Sequence, residues 1–322
     1  MEIKTQTINT NLAEAVREGF SKSPKSISSM FLYDAEGDRL FQEIMKMPEY
    51  YITRCEEEIF HIQKEEITME MRAFDEPFNL LEFGAGDGSK TKILLRYLLE
   101  KDADFTYYPV DISGHILEEL THSLRKEMPM LKVYPLNFEY FDAIRQANNL
   151  NSRRNITLFL GSNMGNFTEE QAVDFYRDFA RESTAGDLLF VGIDRRKNPP
   201  IISKAYDDSQ GITAAFNLNL LRRMNRELGA GFNLETFSHY TFYEPVSGEV
   251  RSYLVSLKKQ QVHFEALEMQ FLFAKNELIH TEISKKYSPE EIVWLAEKTG
   301  YKVLRHFTDS RQYFLDSLWE IK

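Results

Sequence analysis

Three glycines at every second position, Gly84, Gly86 and Gly88, separate an apolar run ending at Phe83 from a helical pattern that begins at Thr91. Glycine enters left-handed backbone conformations without strain, so such a turn lets the main chain approach a ligand closely. It reads either as a nucleotide cradle or as a plain packing turn. The next apolar strand ends in Tyr108-Pro109-Val110-Asp111, and Asp111 lies 23 residues after Gly88. An acid near that distance accepts hydrogen bonds from ribose hydroxyls. Lys90 stands at the helix entrance, where a cation is unfavourable unless an anion offsets the helix dipole. A ligand carboxylate would do so; a solvated lysine is the alternative.

A dinucleotide site wants G-x-G-x-x-G, with the helix amino terminus on a pyrophosphate, whereas the spacing here is G-x-G-x-G. S-adenosylmethionine carries a ribose, an adenine and a carboxylate but no phosphate, and fits Gly84, Gly86, Lys90 and Asp111 better than NAD does. Further on, Asn137 either accepts from an exocyclic adenine amine or caps a turn, and Phe138 either stacks on the ring or joins the core.

Other chemistries have less support. Gly161-Ser162-Asn163-Met164-Gly165 puts serine directly after glycine and is not a G-x-S-x-G elbow. The seven histidines make no H-x-x-x-H pair, so no metal site is expected. Asp207-Asp208 reads as solvated or capping, since adjacent side chains diverge. Cys55, the one cysteine, excludes an internal disulfide, and Glu56, Glu57 and Glu58 beside it disfavour a thiolate. A net charge of −11 opposes attraction to polyanions, which argues against a nucleic-acid partner. The sequence opens without a leader pattern and holds no apolar run of membrane-spanning length. The expectation is a cytoplasmic monomer with no membrane contact.

The elements that must position these residues alternate. From Asn79 to Asp194, strands are predicted to end at Phe83, at Val110 (105–110), at Leu136 (132–136), at Leu160 (156–160) and at Ile193 (188–193), with helical sequence between. That order predicts a parallel, doubly wound sheet whose ligands bind at the carboxyl ends of the strands. Helical sequence over Leu12–Phe20 and Asp38–Met45 precedes it, separated by a polar loop, Ser21–Ser26. Five aromatics between Phe31 and Tyr51 suggest a pocket wall. Lys197-Asn198-Pro199-Pro200 marks a boundary. Beyond it come a helix from Gly211 to Gly229 and strands over 237–243, 249–257 and 264–273, an α+β insertion. Ser288-Pro289-Glu290-Glu291 has Ser at the N-cap, Pro at N1 and Glu at N3, so a helix starts there. Strands over 301–307 and 311–321 should then complete the earlier sheet as an antiparallel pair.

Gly84–Thr91, Pro109–Ser113, Phe159–Phe167, Ala205–Asp208 with Phe216-Asn217, and His280–Ser284 together resemble the histidine-specific Nα-methyltransferases of ergothioneine biosynthesis, and the resemblance spans nearly the whole chain. It implies a class I methyltransferase fold (Rossmann-like, α/β, with a C-terminal antiparallel strand pair) plus an α+β substrate-binding domain. Residues 57–196 and 287–322 would bind S-adenosylmethionine, and 1–56 with 197–286 the substrate. Gly84, Gly86, Lys90 and Asp111 would hold the cofactor, with Asn137 and Phe138 at the adenine. Tyr33, Tyr50, Gly161, Asn166 and Tyr206 would surround the amino and carboxylate groups of L-histidine, and Glu282 with Ser284 its imidazole. By itself Glu282 would read as a surface-strand carboxylate. Three positions depart from the family pattern: Asn137 where Asp is usual, Ile52 where Pro is frequent, and Ser252 where a methionine often faces the substrate ring. The implied activity is three methylations of the histidine α-amine, giving N,N,N-trimethylhistidine (hercynine), by positioning rather than by a strong base. The alternatives are another aromatic amino acid or amine as acceptor, or a non-catalytic binding module.

Overall fold

The computed structural model describes residues 9–322. The chain divides into two compact units: one takes the described residues up to Tyr51 with Lys197–Lys285, the other Ile52–Arg196 with Lys286–Lys322.

The chain opens in the first unit with α1 (Thr10–Ser21), capped by the Asn9 side chain, which accepts from Leu12 N–H at 3.2 Å. After it, Lys25-Ser26 is a short strand, β1, rather than loop, because it pairs in parallel with Ile279-His280. The helix α2 (Ala35–Lys46) starts at Asp34, whose carboxylate accepts from Gly37 N–H, and has acids in its first turn and Lys46 in its last, as the helix dipole favours.

The second unit begins with α3 (Ile52–Glu70). Ile52 is therefore the first residue of a helix, where proline is tolerated, and not part of a loop. The core strands follow: β2 (Phe78–Phe83), α4 (Thr91–Glu100), β3 (Phe105–Val110), α5 (Gly114–Glu127), α6 (Tyr140–Leu150), β4 (Arg154–Phe159), α7 (Glu169–Glu182) and β5 (Leu188–Asp194). β2, β3 and β5 are buried at every residue, as strands covered on both faces must be. The expected strand at 132–136 is reduced to two bridges, Val133 to Tyr107 and Leu136 to Val110. Tyr107 N–H reaches Lys132 O at 2.8 Å and Asp111 N–H reaches Leu136 O at 3.3 Å. Between them stands Pro109, which has no N–H for the middle rung.

The chain then returns to the first unit with α8 (Pro199–Tyr206) and α9 (Ile212–Leu228), which stops at left-handed Gly229. β6 (Phe237–Glu244) and β7 (Glu249–Ser256) form a hairpin. The single strand expected over 264–273 is instead part of a second hairpin, β8 (Gln260–Phe264) and β9 (Met269–Phe273), turned at Glu268 with φ 52°. β10 (Leu278–Lys285) completes a four-stranded sheet in the order β1-β10-β7-β6. Phe20 of α1 meets Phe232, Phe264, Phe271 and Phe273 edge-on, which fastens the second hairpin under that helix.

Last, in the second unit, come α10 (Pro289–Lys298) with the Ser288/Glu291 capping box, then β11 (Tyr301–Thr308) and β12 (Phe314–Ile321). Residues 311–313 are not strand: Asp309 accepts from the N–H groups of Arg311, Tyr313 and Phe314 and holds them as a turn. β12 pairs antiparallel with β5, giving the order β11-β12-β5-β4-β2-β3. The unit limits differ slightly from those read in the sequence. Residues 52–56 belong to α3, and Lys286 is fully buried against Asp194 at 2.9 Å, so both fall in the second unit.

Candidate active site

In the second unit the glycine turn follows β2 directly. Gly84, Gly86 and Gly88 have φ of 65°, 53° and 63°. A Cβ on Gly88 would lie 2.7 Å from Leu120 Cδ1, so that glycine serves packing against α5. A Cβ on Gly86 would meet nothing nearer than Gly84 O at 4.0 Å, which leaves its backbone facing open space. Packing, one of the two readings of the turn, occurs at Gly88, while Gly86 is left open. Beside Gly84 stand the Asn163 amide and the Tyr140 hydroxyl, 3.5 and 3.8 Å from its notional Cβ, neither of which the sequence reading had chosen. Burial, with Asp111 and Glu139 nearby, pushes the Tyr140 hydroxyl up to about 12, so it stays a neutral donor.

Asp111 ends β3, and its Oδ1 accepts from Ser113 N–H at 2.9 Å, leaving Oδ2 for a ligand. The Asn137 amide donates to the Asp111 carbonyl at 2.9 Å, which commits its N–H group and leaves Oδ1 as its acceptor. Phe138 is 44% exposed, an aromatic face outside the core. Open backbone at Gly86, a carboxylate, an amide oxygen and an exposed ring at adjacent strand ends make an acceptor and stacking set suited to a nucleoside with no phosphate.

Lys90 has a counter-charge that its sequence neighbourhood does not reveal. The anion that offsets its charge is a protein side chain, Glu56 on α3, with which its ammonium is ion-paired. Burial, the largest single influence, lowers the lysine's pKa; the charge and hydrogen bond of Glu56, with Glu82 and Asp316 nearby, together outweigh it and hold Lys90 above the ordinary value. Glu56 also accepts the Gly161 N–H, at 2.9 and 3.1 Å. Glu82, fully buried at the end of β2, accepts from Thr91 Oγ1 at 2.6 Å and from the Tyr107 hydroxyl, yet burial pushes its carboxyl up to about 7. Gly161 and Ser162 are left-handed, with φ of 74° and 62°, and turn the chain from β4 into a helical turn, Asn163–Asn166, that ends on half-buried Asn166.

The first unit assembles the remaining expected residues. Tyr33 meets Phe41 and Phe216 edge-on at 5.6 and 5.5 Å, and Tyr50 meets Phe41 at 6.2 Å, so three of the five aromatics before the glycine turn cluster with Phe216. The Tyr206 hydroxyl and Ser284 Oγ are 2.9 Å apart, joining the end of α8 to β10. A bulge between His280 and Glu282 sets Glu282 opposite Ser252 of β7, and Ser284, two residues on, shares its face. Ser252 is buried, and its hydroxyl has no hydrogen-bond partner among the described residues. Asp208 accepts from the N–H groups of Gln210, Ile212 and Thr213 at 2.8–3.0 Å, the capping role expected of it, though buried rather than solvated.

Cys55 is buried, and its thiol is pushed up to about 12 by burial and by Asp309, not by the neighbouring glutamates. The signal missed there was periodicity. Ile52, Cys55, Glu56, Ile59 and Phe60 are all buried and fall at helical spacing, which places Glu56 inside an apolar stripe. Among the described residues no group of His, Cys, Asp and Glu forms a metal site, and no helix is long and apolar enough to cross a membrane.

A sheet of order β11-β12-β5-β4-β2-β3, extended at its edge by the bridged segment 132–136, with a glycine turn and an acid at the ends of its first two strands, defines a class I S-adenosylmethionine-dependent methyltransferase. Residues 12–321 match the family model described as histidine-specific methyltransferase, SAM-dependent, and the chain belongs to that family. It is 31% identical over 298 residues to the histidine N-alpha-methyltransferase of Mycolicibacterium smegmatis, covering 92% of this chain and 91% of that protein. It is 30% identical to ergothioneine biosynthesis protein 1 of Schizosaccharomyces pombe over 87% of this chain but 37% of that one. N-methyltransferase imqF of Aspergillus flavus is 25% identical, with 96% of this chain and 85% of that protein covered.

Proposed function

We propose that this enzyme methylates the α-amino group of L-histidine three times, giving N,N,N-trimethylhistidine, with the second unit holding the cofactor and the first reading the acceptor. When bound, S-adenosylmethionine supplies an electrophilic methyl group on a sulfonium. Gly84, Gly86, Asp111, Asn137 and Phe138 would hold its nucleoside, with Lys90 at its carboxylate. In the first unit, Tyr33, Tyr50 and Tyr206 would bind the amino and carboxylate groups of the amino acid. An in-line displacement needs a neutral amine lone pair held in one direction, and hydroxyls and amides hold an amine without competing as nucleophiles. Each transfer forms one N–C bond as the methyl's bond to sulfur breaks, leaving S-adenosylhomocysteine, and the amine sheds a proton to solvent before the next, until no proton is left on nitrogen.

The observation that carries the acceptor reading is β10. Glu282 and Ser284 share one face, and Ser284 is fixed by the Tyr206 hydroxyl at 2.9 Å. A carboxylate and a fixed hydroxyl suit the two ring nitrogens of an imidazole, and a site built to hydrogen-bond a ring N–H rejects plain aromatics. Support for the histidine side chain also comes from the M. smegmatis relative's name. The test is incubation with S-adenosylmethionine and each amino acid in turn, followed by mass spectrometry. Mono-, di- and trimethylhistidine accumulating in sequence is the expected result; cofactor binding without any methylated histidine overturns it.

A second acceptor, another aromatic amino acid or amine, is favoured by one feature. Ser252, across the ladder from Glu282, offers a buried hydroxyl with no partner among the described residues. A substrate bearing a further polar group there would be methylated faster than histidine in the same panel.

A further inference from the structure

Two buried carboxyl groups meet behind the glycine turn with a single ammonium between them. Asp316 of β12 is fully buried, and neither of its oxygens has a hydrogen-bond donor among the described residues. Its ladder partner on β5 is Gly192, and the space a side chain would occupy there holds the Glu56 carboxylate: a Cβ on Gly192 would lie 2.2 Å from Glu56 Oε1. Glu56, also fully buried, is spoken for on its other sides by Lys90 and by Gly161 N–H. Two ionised carboxylates beside one ammonium would leave an uncompensated charge in a dry interior, which costs several kcal/mol. Asp316 can be satisfied only as a donor, and the acceptor beside it is Glu56.

We propose that Glu56 and Asp316 share one proton and, with Lys90, form a neutral buried triad that positions the Lys90 ammonium and the Gly161 N–H at the carboxyl ends of β2 and β4. Four elements of one unit are tied by it: α3, the entrance of α4, the end of β4 and β12. The charged groups around the shared proton are Glu56, Lys90 and, beyond the lysine, Glu82, which has its own donors in Thr91 and Tyr107. Burial and the Glu56 charge both hold Asp316 well above the usual carboxylate range, in agreement with this arrangement. Glu56 and Asp316 are thus positioning residues that act through Lys90 and Gly161, and Gly192 is glycine because the carboxylate needs its place. The effect on cofactor affinity rests on the reading that this unit holds S-adenosylmethionine; the shared proton does not.

The proton is read by infrared spectroscopy on the ligand-free protein, on the alkaline side of the Glu82 value of about 7 so that Glu82 is ionised. A protonated-carboxyl C=O band is expected in the wild type and in Glu82→Gln, and its loss in both Asp316→Asn and Glu56→Gln. Asp316→Asn supplies an amide donor in place of the acid and should change S-adenosylhomocysteine affinity, measured calorimetrically, by less than about threefold. Glu56→Gln removes the direct Lys90 ion pair, moves the remaining negative charge to Asp316 and should weaken that affinity by about tenfold or more. A wild-type band that is absent, or that survives in both variants, overturns the shared proton. Loss of the band with unchanged affinity in Glu56→Gln overturns the positioning role.

Discussion

The candidate site residues of the two units differ in character. The second unit has buried charge beside its glycine turn: Glu82 and Lys90 flank the turn, Glu56 of α3 is ion-paired with Lys90, and Asp316 of β12 is buried with them; at least one of these carries a displaced proton equilibrium. The first builds its face mostly from rings and hydroxyls, Tyr33, Tyr50, Tyr206 and Ser284, with Glu282 as its carboxylate and His239 and His280 held neutral by burial. A charged, solvent-poor frame is rigid but sensitive to pH. Neutral hydroxyls are soft in energy and selective in geometry, so changes there should alter which ligand binds more than whether the unit folds.

The largest effect that separates the two is a pH dependence of stability. The folded Glu82 carboxyl lies at about 7 against an ordinary 4.5, so the native state keeps a proton that the unfolded chain gives up first. Stability is therefore full below the ordinary value and falls as pH rises through about 7, by on the order of 3 kcal/mol. Denaturant unfolding at acid and neutral pH should show that fall in the wild type and lose it in Glu82→Gln. An unchanged slope in the variant would mean the second unit's charges are compensated in some other way.

Tyr206→Phe sharpens the other side. Ser284 loses the Tyr206 hydroxyl, at a cost of about 1 kcal/mol in stability, while histidine affinity should drop several-fold and S-adenosylhomocysteine affinity stay within error. Equal losses would make the hydroxyl pair a fold element. Smaller still, Phe138→Ala removes an exposed stacking face and should weaken cofactor binding by about fivefold, corresponding to roughly 1 kcal/mol, with no change in the unfolding midpoint. A shifted midpoint would place Phe138 in the core after all.

How much of this was legible in the sequence follows the same division. The candidate cofactor side is local: strand, glycines, helix and the next strand's acid run consecutively, so spacing alone singled out Gly84, Gly86, Lys90 and Asp111. The parallel strands and the closing strand pair were legible because apolar runs, Gly and Pro punctuation and the Ser288 capping box are all short-range signals. The acceptor side joins residues far apart in the chain, and neither Tyr206 nor Glu282 has a local pattern that marks it; the family resemblance singled them out. What escaped notice was mostly burial of polar groups. Glu56 looked like one member of an acidic run, and Asp316 lies in an otherwise apolar strand, yet each became interpretable only once Gly192 opened a space beside both. Pro109 was read as strand without its consequence, a missing rung that reduces 132–136 to two bridges.

The division of labour itself is tested most directly by calorimetry on Glu282→Ala. Titrated with L-histidine, the variant should bind at least about tenfold more weakly than the wild type, the cost of one charge-assisted hydrogen bond. Titrated with S-adenosylhomocysteine, it should match the wild type. Equal weakening toward both ligands, or none toward histidine, would contradict the assignment of acceptor recognition to β10.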